Sequence, residues 1–377
     1  MGKLVKTIIT AVIAVILVII IAFAAVYSTR FKTIGSINKL TSYDKYNLYT
    51  MDVQYDYDLD ELIGYGITDT QSMIDAIVKE ALPYLPIKIN VPSFGCSAFS
   101  VEDPDGCTLM GRNYDFKYDT SSLLVYCTPE NGYKSVAFAA LNNVGADVPE
   151  ESFAKKMACL TAPFICLDGM NEKGVSIAVL TLDSEPTVQQ TGKPVIATSL
   201  AIRLVLDRAA STAEAVELLS NYDMYAANGR DYHFFITDAS GDSRVVEYDC
   251  SSETREMVVT PSRAVTNFFI MYKDLVLPDQ HNDPYGHGRE RYDSMEEIFD
   301  ANSVIDTAVA WQALMAASQE PKEGDVTSNT QWSIVYNNTK LTADFVLRRD
   351  WSTVTHYDLA ANAASVGGSV DDAAQGH

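Results

Sequence analysis

The longest run of uncharged, mostly apolar residues lies near the start of the chain, over residues 8–27. About twenty such residues are enough to cross a bilayer as one helix. Lysines precede the run, and Arg30 and Lys32 follow it, so the flanking charges give only a weak orientation signal. The small residues at 22–24 also fit a cleaved secretory signal. The length of the run favours an uncleaved anchor, and both alternatives place the remaining chain outside the cytoplasm.

The pattern changes twice after this run. Residues 28–60 are polar and aromatic and include an acidic cluster, which predicts a stalk leading away from the membrane. Thr68-Asp69 then precedes apolar residues at helical spacing and two prolines, which together predict one capped helix. From Cys96 onward, short alternating runs of apolar and polar residues indicate strands.

Strands and paired helices alternate over the rest of the chain. The strands are predicted at 97–102, 107–112, 122–128, 134–140, 175–181, 232–237, 243–248, 255–260, 331–336 and 341–347. The helices are predicted at 196–220, with a split at the Ser211 capping box, and at 289–300 and 304–318. This order indicates antiparallel sheets with helices packed outside them, an α+β fold. The small, polar residues from 360 onward predict a disordered tail.

Charge and cysteine content exclude several functions. The formal net charge is −22, from 50 acidic and 28 basic residues, which argues against a nucleic-acid partner. The six cysteines form no CxxC pair and no Cys/His cluster with zinc-ligand spacing. No metal or other cofactor is therefore predicted.

Cys96 begins a sequence pattern that is typical of a reactive cysteine. An alternating run follows it, then a Pro104-Asp105-Gly106 turn, then a second run that contains Arg112 and Asp115. Two such runs around a tight turn predict a β-hairpin that brings Arg112 and Asp115 beside Cys96. A cation beside a thiol favours the thiolate, the form that attacks a carbonyl carbon. On the hairpin alone, a structural cysteine near a solvated ion pair is the simpler alternative.

The spacing of these residues, with Arg112 sixteen and Asp115 nineteen positions after Cys96, resembles the opening of the choloylglycine hydrolase and penicillin V acylase family. Acid ceramidase and the N-acylethanolamine amidase share this opening. These proteins are N-terminal-nucleophile hydrolases of linear amides, in which chain cleavage makes the cysteine the first residue of the mature enzyme. The resemblance therefore implies that the Gly95–Cys96 bond is cut.

Four further blocks extend the resemblance over roughly residues 96–350, in the family's order and approximate spacing. They are the Asp-Gly-Met-Asn-Glu-Lys-Gly turn at 168–174, the hairpin over 232–247, Thr266-Asn267 and the Thr-Gln-Trp-Ser sequence at 330–333. The family fold is a four-layer αββα sandwich, which agrees with the predicted elements. The implied divisions are 1–30 membrane anchor or signal segment, 31–95 stalk and pro-segment with one helix, 96–359 amide hydrolase domain and 360–377 disordered tail.

The resemblance also implies roles around the cysteine. Cys96 is the nucleophile, Arg112 the cation beside its sulfur, and Asp115 the carboxylate that holds the new α-amino group. A late arginine of the family falls on Arg291, with Arg289 as the alternative.

Two donors to the oxyanion are implied as well. Asn228 stands near a family asparagine whose side chain helps bind the oxyanion, although ungapped alignment from His233 falls on Gly229. Asp231 is a weaker rival, because a carboxylate would repel the developing negative charge. The family's second asparagine falls on Thr181, which leaves only a backbone N–H for this role and argues against a bile-salt preference.

The predicted reaction is hydrolysis of a linear amide in a small N-acyl compound. A free α-amine has a pKa near ~8 and can act as general base for its own thiol, so no histidine is required. Bile-salt conjugates, penicillin V, N-acyl amino acids and acyl lactones remain open as substrates, and a homo-oligomer is possible. The alternatives are a non-catalytic, membrane-anchored binding protein on the same fold, and an acyltransferase that uses the same thioester.

Two other motifs are weaker. Residues 174–178 approach the GxSxG elbow of serine hydrolases but end in alanine inside a predicted strand, which argues against Ser176 as a nucleophile. His281 and His287 share a polar loop with two aspartates, where a solvated loop is favoured over a metal site.

Overall fold

Two large β-sheets position the residues discussed above. The computed structural model describes residues 2–85, 95–280, 284–321 and 329–373. Within these ranges the first sheet has nine strands. In spatial order they are β1 (Asn38–Lys39), β2 (Leu48–Val53), β5 (Ser122–Cys127), β6 (Ser135–Ala140), β7 (Asp168–Asn171), β8 (Ser176–Leu182), β11 (Asp231–Thr237), β12 (Ser243–Tyr248) and β13 (Met257–Pro261).

The second sheet has seven strands within the described ranges. In spatial order they are β14 (Ala264–Val265), β3 (Gly95–Glu102), β4 (Thr108–Asp115), β15 (Thr330–Asn337), β16 (Thr342–Leu347), β17 (Thr355–Asp358) and β18 (Ala363–Val366). A separate parallel pair joins β9 (Val195–Ala197) and β10 (Asp223–Tyr225). The helices are α1 (Lys3–Gly35), α2 (Leu59–Gly64), α3 (Thr70–Ala81), α4 (Phe153–Ala158), α5 (Thr198–Arg208), α6 (Thr212–Ser220), α7 (Arg289–Ala301), α8 (Thr307–Ala317) and α9 (Val370–Ala373).

Strands β3 and β4 form the predicted hairpin. Gly106 has a φ of 75° in its turn, a conformation that glycine adopts at little cost. In the resulting register Cys96 lies opposite Tyr114, and Ala98 lies opposite Arg112. Because side chains alternate along a strand and paired residues share a face, the Cys96 and Arg112 side chains point to the same side of the sheet.

Side chains on opposite faces of the same strand contact different parts of the protein, which identifies the inner and outer face of each sheet. On β7, Asp168 accepts a hydrogen bond from Trp332 of the other sheet, whereas Asn171 donates to the carbonyl of Leu206 in α5. On β4, Arg112 reaches Asp168, whereas Asn113 donates to a carbonyl of α8. The inner faces of the two sheets therefore meet, and helices pack on the outer face of each. The mixed fold with several sheets, predicted from the sequence, is confirmed.

Capping residues set the helix boundaries that the sequence pattern indicated. Asp69 accepts a hydrogen bond from the Ser72 amide at the start of α3. Ser211 accepts one from the Glu214 amide and separates α5 from α6. Each cap satisfies a backbone N–H that has no partner inside its helix.

The stalk prediction differs from the structure. Part of residues 28–60 forms β1 and β2, and β2 pairs in parallel with β5 inside the nine-stranded sheet. In the described residues between β2 and Cys96 there are two helices, α2 and α3, where one helix was predicted. The aromatic residues of this segment explain the difference, because Tyr55 and Tyr57 bury their rings while their hydroxyls donate to Leu160 and Asp207. Residues 86–94 lie outside the described ranges.

Helix α1 continues from the apolar run into the body of the protein. Among the described residues it is the one helix long and apolar enough to cross a membrane. Its apolar part is exposed, but Tyr27, Thr33 and Ile34 are buried against the body. Arg30 donates to the carbonyls of Glu80 and Ala81, the last two residues of α3.

The C-terminal segment also differs from its prediction. Residues 363–366 form β18 at the edge of the seven-stranded sheet, and α9 follows over 370–373. The small side chains of this segment indicated disorder, but β17 pairs with β18 and provides its backbone with hydrogen-bond partners. Residues 374–377 lie outside the described ranges.

Candidate active site around Cys96

The Cys96 side chain lies between the two sheets. It is fully buried, and burial raises the pKa of its thiol to about 11. The guanidinium of Arg112 acts in the opposite direction and lowers this pKa, whereas the Asp115 carboxylate raises it. The predicted cation therefore lies beside the predicted nucleophile. In the uncut chain, however, its charge does not outweigh the loss of solvation, so the thiol is protonated at neutral pH.

Arg112 is held by partners from both sheets. Its Nε donates to Asp168 Oδ2 at 3.0 Å, and its Nη2 donates to the Val179 carbonyl at 2.9 Å. Asp168 also accepts hydrogen bonds from Trp332 Nε1 and Tyr336 Oη. Burial opposes the charge of Arg112, but Cys96 and Asp168 keep its pKa above the usual value. A buried, paired guanidinium of this kind stays charged and fixed in position.

The main chain of Cys96 is held on both sides. Its amide donates to Asn267 Oδ1 at 2.8 Å, and its carbonyl accepts from Arg291 Nη1 at 2.9 Å. Arg291 Nη2 also donates to Asn267 Oδ1 at 2.8 Å. Asn267 Nδ2 in turn donates to the Thr181 carbonyl at 2.9 Å. The nitrogen of the bond predicted to be cut is therefore fixed by a buried polar network.

Of the two candidate arginines, the structure brings only Arg291 to Cys96. Arg289 forms an ion pair with Asp293 and donates to the carbonyls of Lys273 and Val276. Both arginines belong to the first turn of α7, where residues two positions apart point to nearly opposite sides of the helix.

Asp115 lies in this network in a different way from its predicted role. Its Oδ1 accepts from Thr330 Oγ1 at 2.5 Å, its Oδ2 accepts from Gln319 Nε2 at 2.6 Å, and Arg291 Nη1 lies 3.5 Å from Oδ2. In the uncut chain the Cys96 amide therefore donates to Asn267, and the Asp115 carboxylate is held by side chains of the neighbouring elements. Its predicted hold on an α-amino group stays a prediction for the cut chain.

The predicted oxyanion donors lie at the same end of the nine-stranded sheet. Thr181 is next to the end of β8 and lies opposite Tyr232 of β11. The backbone of Asn228 belongs to a 3₁₀ turn over Ala227–Gly229, just before β11, and its side chain lies outside the described part of the structure. The rival residue Asp231 accepts hydrogen bonds from Ser184 and Thr187.

The weaker motifs have structural partners. Ser176 lies inside β8 and accepts a hydrogen bond from Asn338, so no nucleophile elbow is present there. His287 Nδ1 lies 2.6 Å from Asp183 Oδ2. No group of three or more metal-ligating side chains occurs in the described ranges, and His281 lies outside them.

Three contacts of the site were not assigned from the sequence. Asn267 on the Cys96 amide, Asp168 on Arg112, and Gln319 on Asp115 all join segments that are distant along the chain. Asn267 and Asp168 stand inside the sequence blocks that carried the family resemblance, so the signal was present without a role. Gln319 follows α8 and had no signal.

A small apolar cavity of about 30 Å³ lies between the outer face of the nine-stranded sheet and its covering helices. Its walls include Met73 of α3, Val179 of β8, Ile202 of α5 and Tyr232 of β11. Val179 accepts from Arg112 through its carbonyl, and Tyr232 lies opposite Thr181. The pocket therefore reaches the strand positions that contact the Cys96 network.

Comparison with known proteins agrees with the sequence motifs. Residues 96–259 match the family of linear amide C-N hydrolases, choloylglycine hydrolase family. Two solved structures of conjugated bile acid hydrolase from Clostridium perfringens resemble the chain at 17% identity and a TM-score of 0.53, covering 72% of this chain and 96% or 97% of theirs. Penicillin V acylase from Agrobacterium tumefaciens gives 19% identity and a TM-score of 0.49, covering 70% of this chain and 86% of its own. The predicted resemblance to this family is confirmed, and the likeness to the bile acid hydrolase structures is one of fold.

Proposed function

Because residues 96–259 match the choloylglycine hydrolase family of linear amide C–N hydrolases, we propose that the protein hydrolyses the amide bond of a small N-acyl compound. Cys96 is the nucleophile, and cleavage of the Gly95–Cys96 bond frees its α-amine. One observation carries this proposal. The Cys96 sulfur lies beside the buried Arg112, while the Cys96 nitrogen and carbonyl are held by Asn267 and Arg291.

Cleavage changes the chemistry of the thiol. The amide nitrogen of the uncut chain cannot act as a base, and the thiol has a pKa of about 11. The freed amine has an ordinary pKa near ~8 and takes the thiol proton. The thiolate then attacks the substrate carbonyl carbon, and the leaving amine accepts the proton as the C–N bond breaks. Water hydrolyses the resulting thioester, releases the acid and restores the thiol.

The neighbouring residues have separate roles in this proposal. Arg112 stabilises the thiolate, and Asp115 with Asn267 holds the protonated α-amine. The Thr181 N–H and the Asn228 side chain stabilise the oxyanion of the tetrahedral intermediate. Losing one such donor typically costs about 3–4 kcal/mol of transition-state stabilisation.

We also propose the fold of the catalytic domain and its location in the cell. The contacts of α5 with the outer face of one sheet and of α8 with the outer face of the other support a four-layer αββα N-terminal-nucleophile sandwich. The exposed apolar length of α1 supports a membrane anchor with the catalytic domain outside the cytoplasm. A secreted protein with a cleaved signal is the alternative.

Mass spectrometry of the purified protein tests the central requirement. A chain that begins at Cys96 is expected, together with hydrolysis of at least one compound in a panel of N-acyl amides. The Cys96→Ser variant is expected to lose hydrolysis of that compound. Full activity in protein whose Gly95–Cys96 bond is intact would contradict the role of the α-amine.

One observation supports the second candidate, a membrane-anchored binding protein. The uncut chain has a fully buried Cys96 with a raised thiol pKa, so a chain that is never cut has no ready nucleophile. Binding of N-acyl compounds by an uncut protein, without turnover, would favour this candidate. An acyltransferase differs only in the acceptor, so amine acceptors added to the same panel would reveal transfer products.

A further inference from the structure

A polar cavity of about 210 Å³ lies between the two sheets at one of their edges. Strands β1, β2 and β5 line it on one side, and β17, β18 and the turn between them line it on the other. In the seven-stranded sheet, three strands separate β17 from β3, so the cavity does not belong to the Cys96 site. Its volume exceeds the ~10–15 Å³ that one water molecule needs and is smaller than the ~300 Å³ of the smallest pockets for drug-sized molecules. The cavity therefore has room for a small ligand.

The strand register explains why this cavity is polar. Thr50 pairs with Leu124 and Asp52 pairs with Tyr126, and all four side chains line the cavity. Met51, between the two polar residues of β2, is buried. Because side chains alternate along a strand, Thr50 and Asp52 share the inner face, where stacked sheets normally carry apolar residues. The sequence therefore keeps a hydroxyl and a carboxylate on a face that packing alone would make apolar.

Asp52 is the one charged residue that lines the cavity in the described part of the chain. Its Oδ1 accepts a hydrogen bond from Asn362 Nδ2 at 3.1 Å. Asn362 Oδ1 in turn accepts from Tyr357 Oη at 2.8 Å, which turns the Asn362 amide donor toward the carboxylate. Oδ2 of Asp52 has no hydrogen-bond or ion-pair partner within the described ranges. The carboxylate is therefore held in one direction while one of its oxygens stays available to a ligand.

Two tyrosine rings lie near this carboxylate. Tyr126 and Tyr357 both line the cavity, and Tyr357 is buried. Burial raises the pKa of both phenols, and the negative charge of Asp52 adds to the rise, so its field reaches both rings. Aromatic faces attract organic ammonium ions, and a carboxylate accepts their N–H groups in charge-assisted hydrogen bonds. A neutral or anionic ligand gains neither of these charge-dependent interactions.

We propose that this cavity binds a small organic ammonium ion, which donates to Asp52 Oδ2 and places its apolar part against Tyr126 and Tyr357. A metal ion fits less well, because Ca²⁺ takes six or more oxygen ligands and no group of three or more metal-ligating side chains occurs in the described ranges. The net charge of −22 also favours a cationic ligand over an anionic one. The inference depends neither on the cut at Gly95–Cys96 nor on amide hydrolysis.

Isothermal titration calorimetry of the full chain in detergent tests the class of ligand. Benzylamine and n-butylamine are the probes, because both are cations at neutral pH, and benzyl alcohol and n-butanol are their uncharged counterparts. Saturable binding of at least one amine at one site per chain, with no saturable binding of either alcohol, is the expected result. Saturable binding of neither amine, or equal binding of an amine and its alcohol, would overturn the proposal.

The position of the bound amine is tested by removing the charge of Asp52. Asp52→Asn keeps an acceptor for Asn362 but loses the charge-assisted hydrogen bond, so the Kd of the amine is expected to rise about 10-fold or more. Asp44→Asn is the matched control, because Asp44 is an exposed aspartate of the same segment that does not line the cavity, and its Kd is expected to change less than about 2-fold. An unchanged Kd in Asp52→Asn would overturn the proposal. Loss of binding in Cys96→Ser would also overturn it, because the amine would then occupy the proposed active site.

The contribution of the ring is tested separately at Tyr126. Tyr126→Leu removes the aromatic face and is expected to raise the Kd about 3-fold or more, whereas Tyr126→Phe keeps the face and is expected to bind like the unaltered protein. Thermal unfolding checks that each variant is folded. Equal Kd values for the Leu and Phe variants would overturn the assignment of this cavity to an ammonium ion, whether or not Asp52→Asn folds.

Discussion

Two buried sites in the described part of the chain each combine a cysteine, an arginine and an aspartate, and the proposed function assigns catalysis to only one of them. In the first, Arg112 lies beside Cys96 and pairs with Asp168. In the second, Arg203 donates to the sulfur of Cys127 at 3.4 Å and pairs with an aspartate one helical turn away. Burial raises the pKa of both thiols to about 11, and the neighbouring arginine lowers both.

The difference lies in the main chain. Cys127 ends β5, and its backbone is paired with β2 on one side and β6 on the other. Cys96 is paired with β4 on one side, and its amide and carbonyl are bound by the side chains of Asn267 and Arg291. A cation beside a buried thiol is therefore insufficient for nucleophilic catalysis. The proposed function requires a free amine on the same residue, which the proposed cut would supply at Cys96.

The largest expected effect separates the two cysteines. Cys96→Ala is expected to reduce kcat by roughly 10³-fold or more, because no other group can form the thioester. Cys127→Ala is expected to change kcat less than about 3-fold, since its thiol interacts with Arg203 and Tyr57 in the second site. Initial rates on the best N-acyl amide of the panel provide the measurement, with thermal unfolding as the control for folding. Equal losses in the two variants would contradict the distinction.

The contacts of the Cys96 site that could be predicted from the sequence are those that depend on local patterns. The hairpin that brings Arg112 to Cys96 depends on one tight turn and on alternation along two short strands, and both are local properties. Asp168 reaches the site because the two sheets stack, and Asn267 reaches it because β14 pairs with β3. Neither contact is specified by spacing along the chain. These contacts were therefore predicted where they are local and missed where they join segments that are distant along the chain.

The N-terminal segment shows a second limit of pattern analysis. Its tyrosines and aspartates gave a polar composition, which indicated an exposed stalk. In the structure, Tyr55 and Tyr57 bury their rings and direct their hydroxyls to buried acceptors. Composition counts these residues as polar, whereas packing uses them as large apolar surfaces with one hydrogen bond each.

The next largest effect concerns the two ion pairs. Asp168→Asn and Asp207→Asn each leave a buried guanidinium without its counter-charge, and such losses typically cost about 3–5 kcal/mol. Both variants are expected to lower the free energy of unfolding by similar amounts in urea titrations. Only Asp168→Asn is expected also to change the pH dependence of kcat, because Arg112 then no longer holds its position beside Cys96. An unchanged pH profile in that variant would show that Asp168 supports only the fold.

The raised thiol pKa values predict a loss of stability at high pH. A thiol whose pKa is raised in the folded state contributes stability below its ordinary pKa of 9.0, and loses that contribution as the pH rises toward about 11. For Cys127 the expected loss is at most about 3 kcal/mol, from roughly two pKa units at about 1.4 kcal/mol each. Urea titrations between pH 8 and 11 measure it, and Cys127→Ala is expected to reduce the slope. An identical slope in that variant would assign the pH dependence to the buried tyrosines instead.

The smallest expected effect concerns the link between the N-terminal segment and the second site. Tyr57→Phe keeps the buried ring but removes the hydroxyl that donates to Asp207, so the free energy of unfolding is expected to fall by about 1–3 kcal/mol, typical of a hydrogen bond to a charged group. Tyr65→Phe is the matched control, because its hydroxyl donates to Glu61 at the surface, where water can replace it. The Cys96 site makes no contact with Tyr57 in the described structure, so kcat is expected to stay unchanged. A fall in kcat without a fall in stability would mean that the two buried sites are coupled through the nine-stranded sheet, which contains both Cys127 and Asp168.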